Sequence, residues 1–170
     1  MKVHEIMTVD PICCYRTETA DLAAKRMKEH NIGAIPVVEN EKSYRIVGVV
    51  TDRDLCMAVI ADGKDPKETT LDQLMHTPVV WCGPDDEVDK VAELMRAQQI
   101  RRIPVLDSEH KIQGIVTTAD ITLYSDLSPE CVQETFRNIS KESEQEFIDR
   151  DLWGAMYIAP DTGTGPDVDK

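Results

Sequence analysis

A seven-residue pattern (glycine, two apolar residues, threonine, any two residues, aspartate) occurs twice in the chain. It reads Gly48-Val49-Val50-Thr51-Asp52-Arg53-Asp54 and Gly114-Ile115-Val116-Thr117-Thr118-Ala119-Asp120. Each copy lies where a β-branched run gives way to helical spacing. At such a turn, glycine allows a ligand to come close to the backbone. Thr51 and Thr117 offer hydroxyls beside a helix N-terminus, where free N–H groups and the dipole favour phosphate. Asp54 and Asp120, one helical turn on, can accept hydrogen bonds from both hydroxyls of a ribose. The same spacing also describes a capping box, with Thr at the N-cap and Asp at N3, and that needs no ligand. Local sequence leaves both readings open. Duplication of the chain means that two capping motifs are not independent observations.

The elements around the motif are duplicated too. Leu22 to Met27 aligns with Lys90 to Met95 at an offset of 68, as does Ile35-Pro36-Val37-Val38 with Ile103-Pro104-Val105-Leu106. At the motif the offset is 66, so the preceding hairpin loop is two residues shorter in the second copy. Ile6-Met7-Thr8 parallels Leu74-Met75-His76. Each copy starts with a short extended run, Ile12–Tyr15 or Val79–Cys82. A helix follows, with apolar residues at 20, 23/24 and 27, or at 88, 91/92 and 95, the 3.6-residue period. Two β-branched runs come next, 34–38 with 45–50 and 103–106 with 111–116, joined by polar turns. A second helix starts at Thr51 or Thr117. The order is β-α-β-β-α twice, an α/β (α+β) arrangement with repeats at 3–71 and 72–125. One unit is too small to bury a good core. Two can pack sheet to sheet about a pseudo-twofold axis, leaving equivalent clefts suited to a ligand.

The ordered series of Ile6-Met7-Thr8, the Ile-Pro-Val strand and Gly-Val-Val-Thr-Asp-Arg-Asp-Leu, present twice over residues 3–125, resembles a pair of CBS domains, a Bateman module. The resemblance implies a non-catalytic regulatory module that senses AMP, ADP, ATP or S-adenosylmethionine. It implies that Asp54 and Asp120 grip ribose, with Thr51 and Thr117 near ribose and phosphate. It further implies that Val49 and Ile115 touch adenine and that Ile12 and Val79 offer backbone groups to the base. The residues before each Ile-Pro pair, Gly33-Ala34 and Arg101-Arg102, and those before each motif Asp, Arg53 and Ala119, line the site. Arginine binds phosphate through a planar fork. Two arginines beside Asp120 therefore make its cleft the expected tighter nucleotide site and favour phosphorylated ligands over S-adenosylmethionine. Arg101 and Arg102 can equally be a solvated pair at a helix end. The sequence does not choose among AMP, ADP, ATP, S-adenosylmethionine and NAD-type ligands. The resemblance also implies a homodimer formed through the CBS helices, with an unnamed downstream protein as reader.

The net charge of −13 argues against nucleic acid and anionic membranes as partners. There is no apolar run of membrane-spanning length and no signal-peptide pattern, so the expected location is cytoplasmic. Glycine-rich phosphate loops, nucleophile elbows and metal-ligand spacings are absent from the sequence. The five cysteines read as free thiols, chiefly small buried apolar residues. A redox or metal sensor built on Cys13-Cys14 lacks a completed ligand set. Residues 126–170 form an acidic extension of eleven acids and four bases. It is expected to be helical first, with Ser128 as N-cap and Val132, Phe136 and Ile139 on a stripe that packs on the module or on a second subunit, then disordered from Pro160 on. A structural module with empty clefts, whose tail carries the function, is the competing reading.

Overall fold

The computed structural model describes residues 1–140. Two three-stranded sheets stand at its centre. In the first repeat, β2 (Cys14–Tyr15), helix α1 (Ala20–His30), β3 (Ala34–Val38) and β4 (Ile46–Thr51) follow in order. After them comes α2 (Asp52–Leu55), which runs on as a π-helical turn over Cys56–Ile60. In the second repeat, α3 (Val88–Gln98), β5 (Arg102–Leu106), β6 (Ile112–Thr117) and α4 (Thr118–Tyr124) repeat the order, and α5 (Pro129–Ile139) follows. The two hairpins share one register. Ala34 pairs with Thr51 and Arg102 with Thr117, and each hairpin carries a bulge at the equivalent place, Val37/Val38 or Val105/Leu106.

The expected extended runs are shorter than the sequence suggests. In the first repeat only Cys14–Tyr15 is a strand, paired parallel to β3, and in the second only Cys82 bridges to Val105. Pro84, two residues past Cys82, has no N–H with which to continue that parallel ladder. The helices form on the expected spacing. Ala20, Ala23 and Met27 of α1 are buried, as are Val88, Val91, Ala92 and Met95 of α3. Ala24 is exposed. Both helices end on a left-handed residue, Asn31 and Gln99, each with φ of 52°.

The repeats exchange their leading segments. β1 (Thr8–Val9) pairs antiparallel with β6 of the second repeat, Thr8 opposite Ile115. His76 bridges to Val49 of the first repeat in the symmetric position. The cores follow. Val3 and Ile6 pack with α3 and β5, and Leu71 and Leu74 pack with α1 and β3. A third cluster of Val38, Leu106 and Ile112 joins the two sheets. The motif glycines owe their identity to this exchange. A Cβ on Gly48 would lie 2.6 Å from Met75 Sδ, and one on Gly114 would lie 2.7 Å from Met7 Sδ and 2.8 Å from the Thr8 carbonyl. Glycine admits the crossing segment, a tertiary need the sequence reading had assigned to a ligand.

α5 begins as expected, with Ser128 Oγ accepting from the Cys131 amide at 3.2 Å. Its packed face differs from the expected stripe. Thr135 and Ile139 are buried against the core with Val132 beside them, whereas Phe136 is 40% exposed. Arg96 of α3 donates to Thr135 Oγ1 at 2.8 Å and so selects this face. The expected disorder from Pro160 lies outside the described residues. No helix among the described residues is long and apolar enough to cross a membrane.

Candidate ligand clefts between the repeats

Two clefts flank the pseudo-twofold axis, and each draws on both repeats. The first has a volume of about 480 Å³. Val49, Thr51 and Arg53 from the β4–α2 turn form one wall. His76 and Val79, from the segment leading into the second repeat, and Arg101 and Arg102, from the α3–β5 turn, form the other, with Ala34 at the base. The second cleft, of about 300 Å³, joins Ile115 and Thr117 of the second repeat to Ile12, Ile32, Gly33 and Ala34 of the first. Asp10 and Arg102 supply its charges.

Arg101 and Arg102 are expected beside Asp120. Of the two clefts, Arg101 lines only that of Thr51. Arg102, opposite Thr117 in the hairpin, lines both clefts. The segment before each Ile-Pro pair is bonded to the motif of its own repeat, Asp52 N–H donating to the Gly33 carbonyl at 3.2 Å and Thr118 N–H to the Arg101 carbonyl at 3.0 Å, and both arginines line the first cleft. Of the two arginines expected at the second cleft, Arg102 lines it and Arg101 does not. Asp54, Asp120 and Ala119 are not among the lining residues of either cleft.

Both motifs close as capping boxes. The Thr51 amide donates to Asp54 Oδ2 at 2.7 Å, and the Asp54 amide donates back to Thr51 Oγ1 at 3.2 Å. The Thr117–Asp120 box is formed in the same way, at 2.8 and 3.3 Å. In each case the threonine hydroxyl also donates to its aspartate at 2.7 Å. Each carboxylate therefore commits Oδ2 to its own turn and leaves Oδ1 for another partner. On Asp54 that partner is His76, whose Nε2 stands 2.7 Å from Oδ1. The internal alignment puts Thr8 where the first cleft has His76, so Asp120 has no such neighbour. Among the described residues Asp120 Oδ1 makes no hydrogen bond. Burial pushes the Asp54 carboxyl up, but hydrogen bonds from Thr51 and His76 outweigh it and hold the group below its ordinary value.

His76, which by sequence stands at the entrance of the second repeat as a surface histidine within reach of a ligand, lines the first cleft, as does Asp52, which the sequence does not single out. The signal for His76 was present in the alignment, which sets Met75-His76 against Met7-Thr8, once the leading segments are known to cross. Asp52 gave none. The cysteines divide. Cys14 and Cys82 are buried at equivalent positions, whereas Cys56 is exposed, contrary to the general expectation of burial. No group of three or more His, Cys, Asp or Glu residues is placed to hold a metal ion among the described residues.

The CBS domain family model matches residues 3–61 and 71–126. Hypoxic response protein 1 of Mycobacterium tuberculosis is 36% identical over 117 residues, covering 69% of this chain and 80% of the relative. A crystal structure of hypoxic response protein I with two coordinated zinc ions has a TM-score of 0.67 at 32% identity, covering 74% of this chain and 99% of that one. The CBS domain pair of protein MJ0100, in complex with 5′-methylthioadenosine and S-adenosyl-L-methionine, has a TM-score of 0.64 at 32% identity over 72% of this chain and 93% of that one. The hexameric CBS-CP12 protein of bloom-forming cyanobacteria has a TM-score of 0.65 at 29% identity over 92% and 83%. With two family matches in tandem and the exchanged β-α-β-β-α units that they predict, the chain belongs to the CBS domain family as a tandem CBS pair.

Proposed function

We propose that this CBS pair is a non-catalytic regulatory module that binds an adenine nucleotide (AMP, ADP or ATP) between its repeats. In this reading the bound ligand changes how the repeats present themselves to a partner protein. The observation that carries it is the placing of the duplicated motif threonines, Thr51 and Thr117, on the walls of two clefts that each span both repeats. The adenosine-type ligands of the MJ0100 pair support the ligand class. A ligand contacting both walls acts on the relative arrangement of the repeats, and it shifts that arrangement only as far as it prefers one form. Of the two motif aspartates, Asp120 is the proposed ribose acceptor, since its Oδ1 makes no hydrogen bond among the described residues.

The closed capping boxes favour a second reading, a structural module whose motifs serve the helices alone. A thermal-shift series with AMP, ADP, ATP and S-adenosylmethionine separates the two. A ligand at 100 times its dissociation constant adds about 2.7 kcal/mol of stability. A ligand-selective rise in melting temperature that is lost in Asp120→Ala supports the sensor. A flat response to all four compounds overturns it in favour of the structural module.

The reading extends to a homodimer. Met57 on the π-helical turn and Leu123 on α4 occupy equivalent positions and are 54% and 69% exposed, with Ile60 at 74%. A second copy of the chain is the occupant proposed for this apolar surface, the association the CBS helices are expected to make.

A further inference from the structure

The two clefts differ in charge more than in shape. The first is lined by three arginines, Arg53, Arg101 and Arg102, against one acid, Asp52. The second is lined by Arg102 and Asp10, which balance. In a chain of net charge −13 an arginine finds acidic partners readily, as Arg26 does with Glu18 at 2.6 Å. Among the described residues, the guanidinium groups of Arg53, Arg101 and Arg102 make no ion pair or hydrogen bond. All three are exposed to solvent, and three unpaired cations reaching one cavity from two repeats give it a positive lining that draws anions. The acidity of the rest of the chain does not cancel it, since exposed charges more than about 8 Å away are largely screened at physiological salt.

We propose that the Thr51 cleft is the polyanion site of the pair, taking a di- or triphosphate tail on Arg53, Arg101 and Arg102, whereas the Thr117 cleft takes ligands of low net charge. This division rests on the reading of the clefts as ligand sites. The two sites would then answer to different molecules, or to different charge states of one.

Isothermal titration calorimetry of the full chain with inorganic tripolyphosphate, ATP and adenosine tests it. The comparison variant is Arg53→Gln/Arg101→Gln, whose two sites are exposed and line the first cleft only. Tripolyphosphate is expected to bind, and ATP to bind more tightly than adenosine. Roughly a tenfold loss per arginine removed is expected for both anions, because charge-assisted hydrogen bonds are lost. The preference for ATP over adenosine is expected to narrow as salt is raised. Tripolyphosphate binding that depends on the arginines, with no binding of ATP or adenosine, supports the polyanion site and overturns the adenine reading. Adenosine and ATP binding equally, with no arginine dependence and no tripolyphosphate binding, overturns the polyanion site and leaves the adenine reading standing. Two equal ATP sites that survive the double substitution also overturn the division.

Discussion

His76 Nε2 lies 2.7 Å from Asp54 Oδ1, joining the segment that leads into the second repeat to the motif of the first. The carboxylate, 15% exposed, thereby receives hydrogen bonds on both oxygens. Its pKa is held below the ordinary value despite burial, which acts in the opposite sense. A carboxyl whose folded pKa is depressed stabilises the fold fully above its unfolded value, near 3.8, and loses that contribution as pH falls through the folded value. Asp54→Asn should therefore melt lower than the parent at pH 7, and the difference should shrink below pH 4. Melting curves from pH 7 to pH 3 check this. A difference that stays constant over that range would mean that the charge of Asp54 contributes nothing.

The two capping boxes permit a cleaner estimate. Thr117→Ala removes the acceptor for the Asp120 amide and should cost about 1 kcal/mol in the ligand-free chain. That corresponds to about 2–4 °C for a chain of this size. Thr117→Ser keeps the hydroxyl and should recover most of the loss. Urea unfolding of both variants without ligand reads the cap alone. Equal destabilisation by Ala and Ser would show that the methyl group, not the hydroxyl, matters at this turn.

Gly48 and Gly114 carry the exchange of leading segments. An added methyl at Gly114 meets the Thr8 carbonyl, a backbone atom that cannot rotate away, while at Gly48 it meets the Met75 side chain. Overpacking of this kind costs roughly 1–3 kcal/mol. Gly114→Ala should be the more damaging of the two in equilibrium unfolding. Neutral behaviour of Gly114→Ala would place the crossing segment farther from β6 than the structure has it.

Much of this was readable from the chain. The helix faces follow from Ala20, Ala23 and Met27 and from Val88, Val91 and Met95, because a 3.6-residue period is local. The motif threonines were recognisable as N-caps for the same reason. The exchange was not readable, because a duplicated sequence offers each leading segment two equally patterned partners, and local spacing cannot say which it joins. The presence of Arg101 on the Thr51 cleft follows from that exchange, as does the steric need for glycine at 48 and 114. Within the chain Phe136 faces away from the core because the α5 face is chosen by Arg96, a residue on another helix.

The cysteines make a test of the redox alternative. Burial pushes the Cys13 thiol up to about 12, with Cys14 adding to the effect. Burial also raises Cys14 and takes Cys82 to about 12. At pH 8 the thiolate fraction of Cys13 is then on the order of 10⁻⁴, and the thiolate is the reactive form. Iodoacetamide at pH 8, followed by peptide mass spectrometry, should label the exposed Cys56 well before Cys13, Cys14 and Cys82. Rapid labelling of Cys13 in the folded chain would return the adjacent pair to consideration as a sensor.

The apolar residues on the second helices of the two repeats bear on assembly. Met57 and Leu123 are related by the 66-residue offset of the motif, so an interface on one repeat is matched on the other. Leaving both in water forgoes burial worth about 1.5–3 kcal/mol for each side chain of this size. A glutamate at each site would set like charges against each other across a two-fold dimer of this surface, where they are desolvated and strongly unfavourable. Met57→Glu/Leu123→Glu should therefore sediment as a monomer under conditions in which the parent chain is a dimer. The monomer should keep the melting behaviour of its folded repeats, since neither side chain belongs to a core cluster. If the double variant keeps the parent's mass, the contact between copies lies elsewhere on the pair.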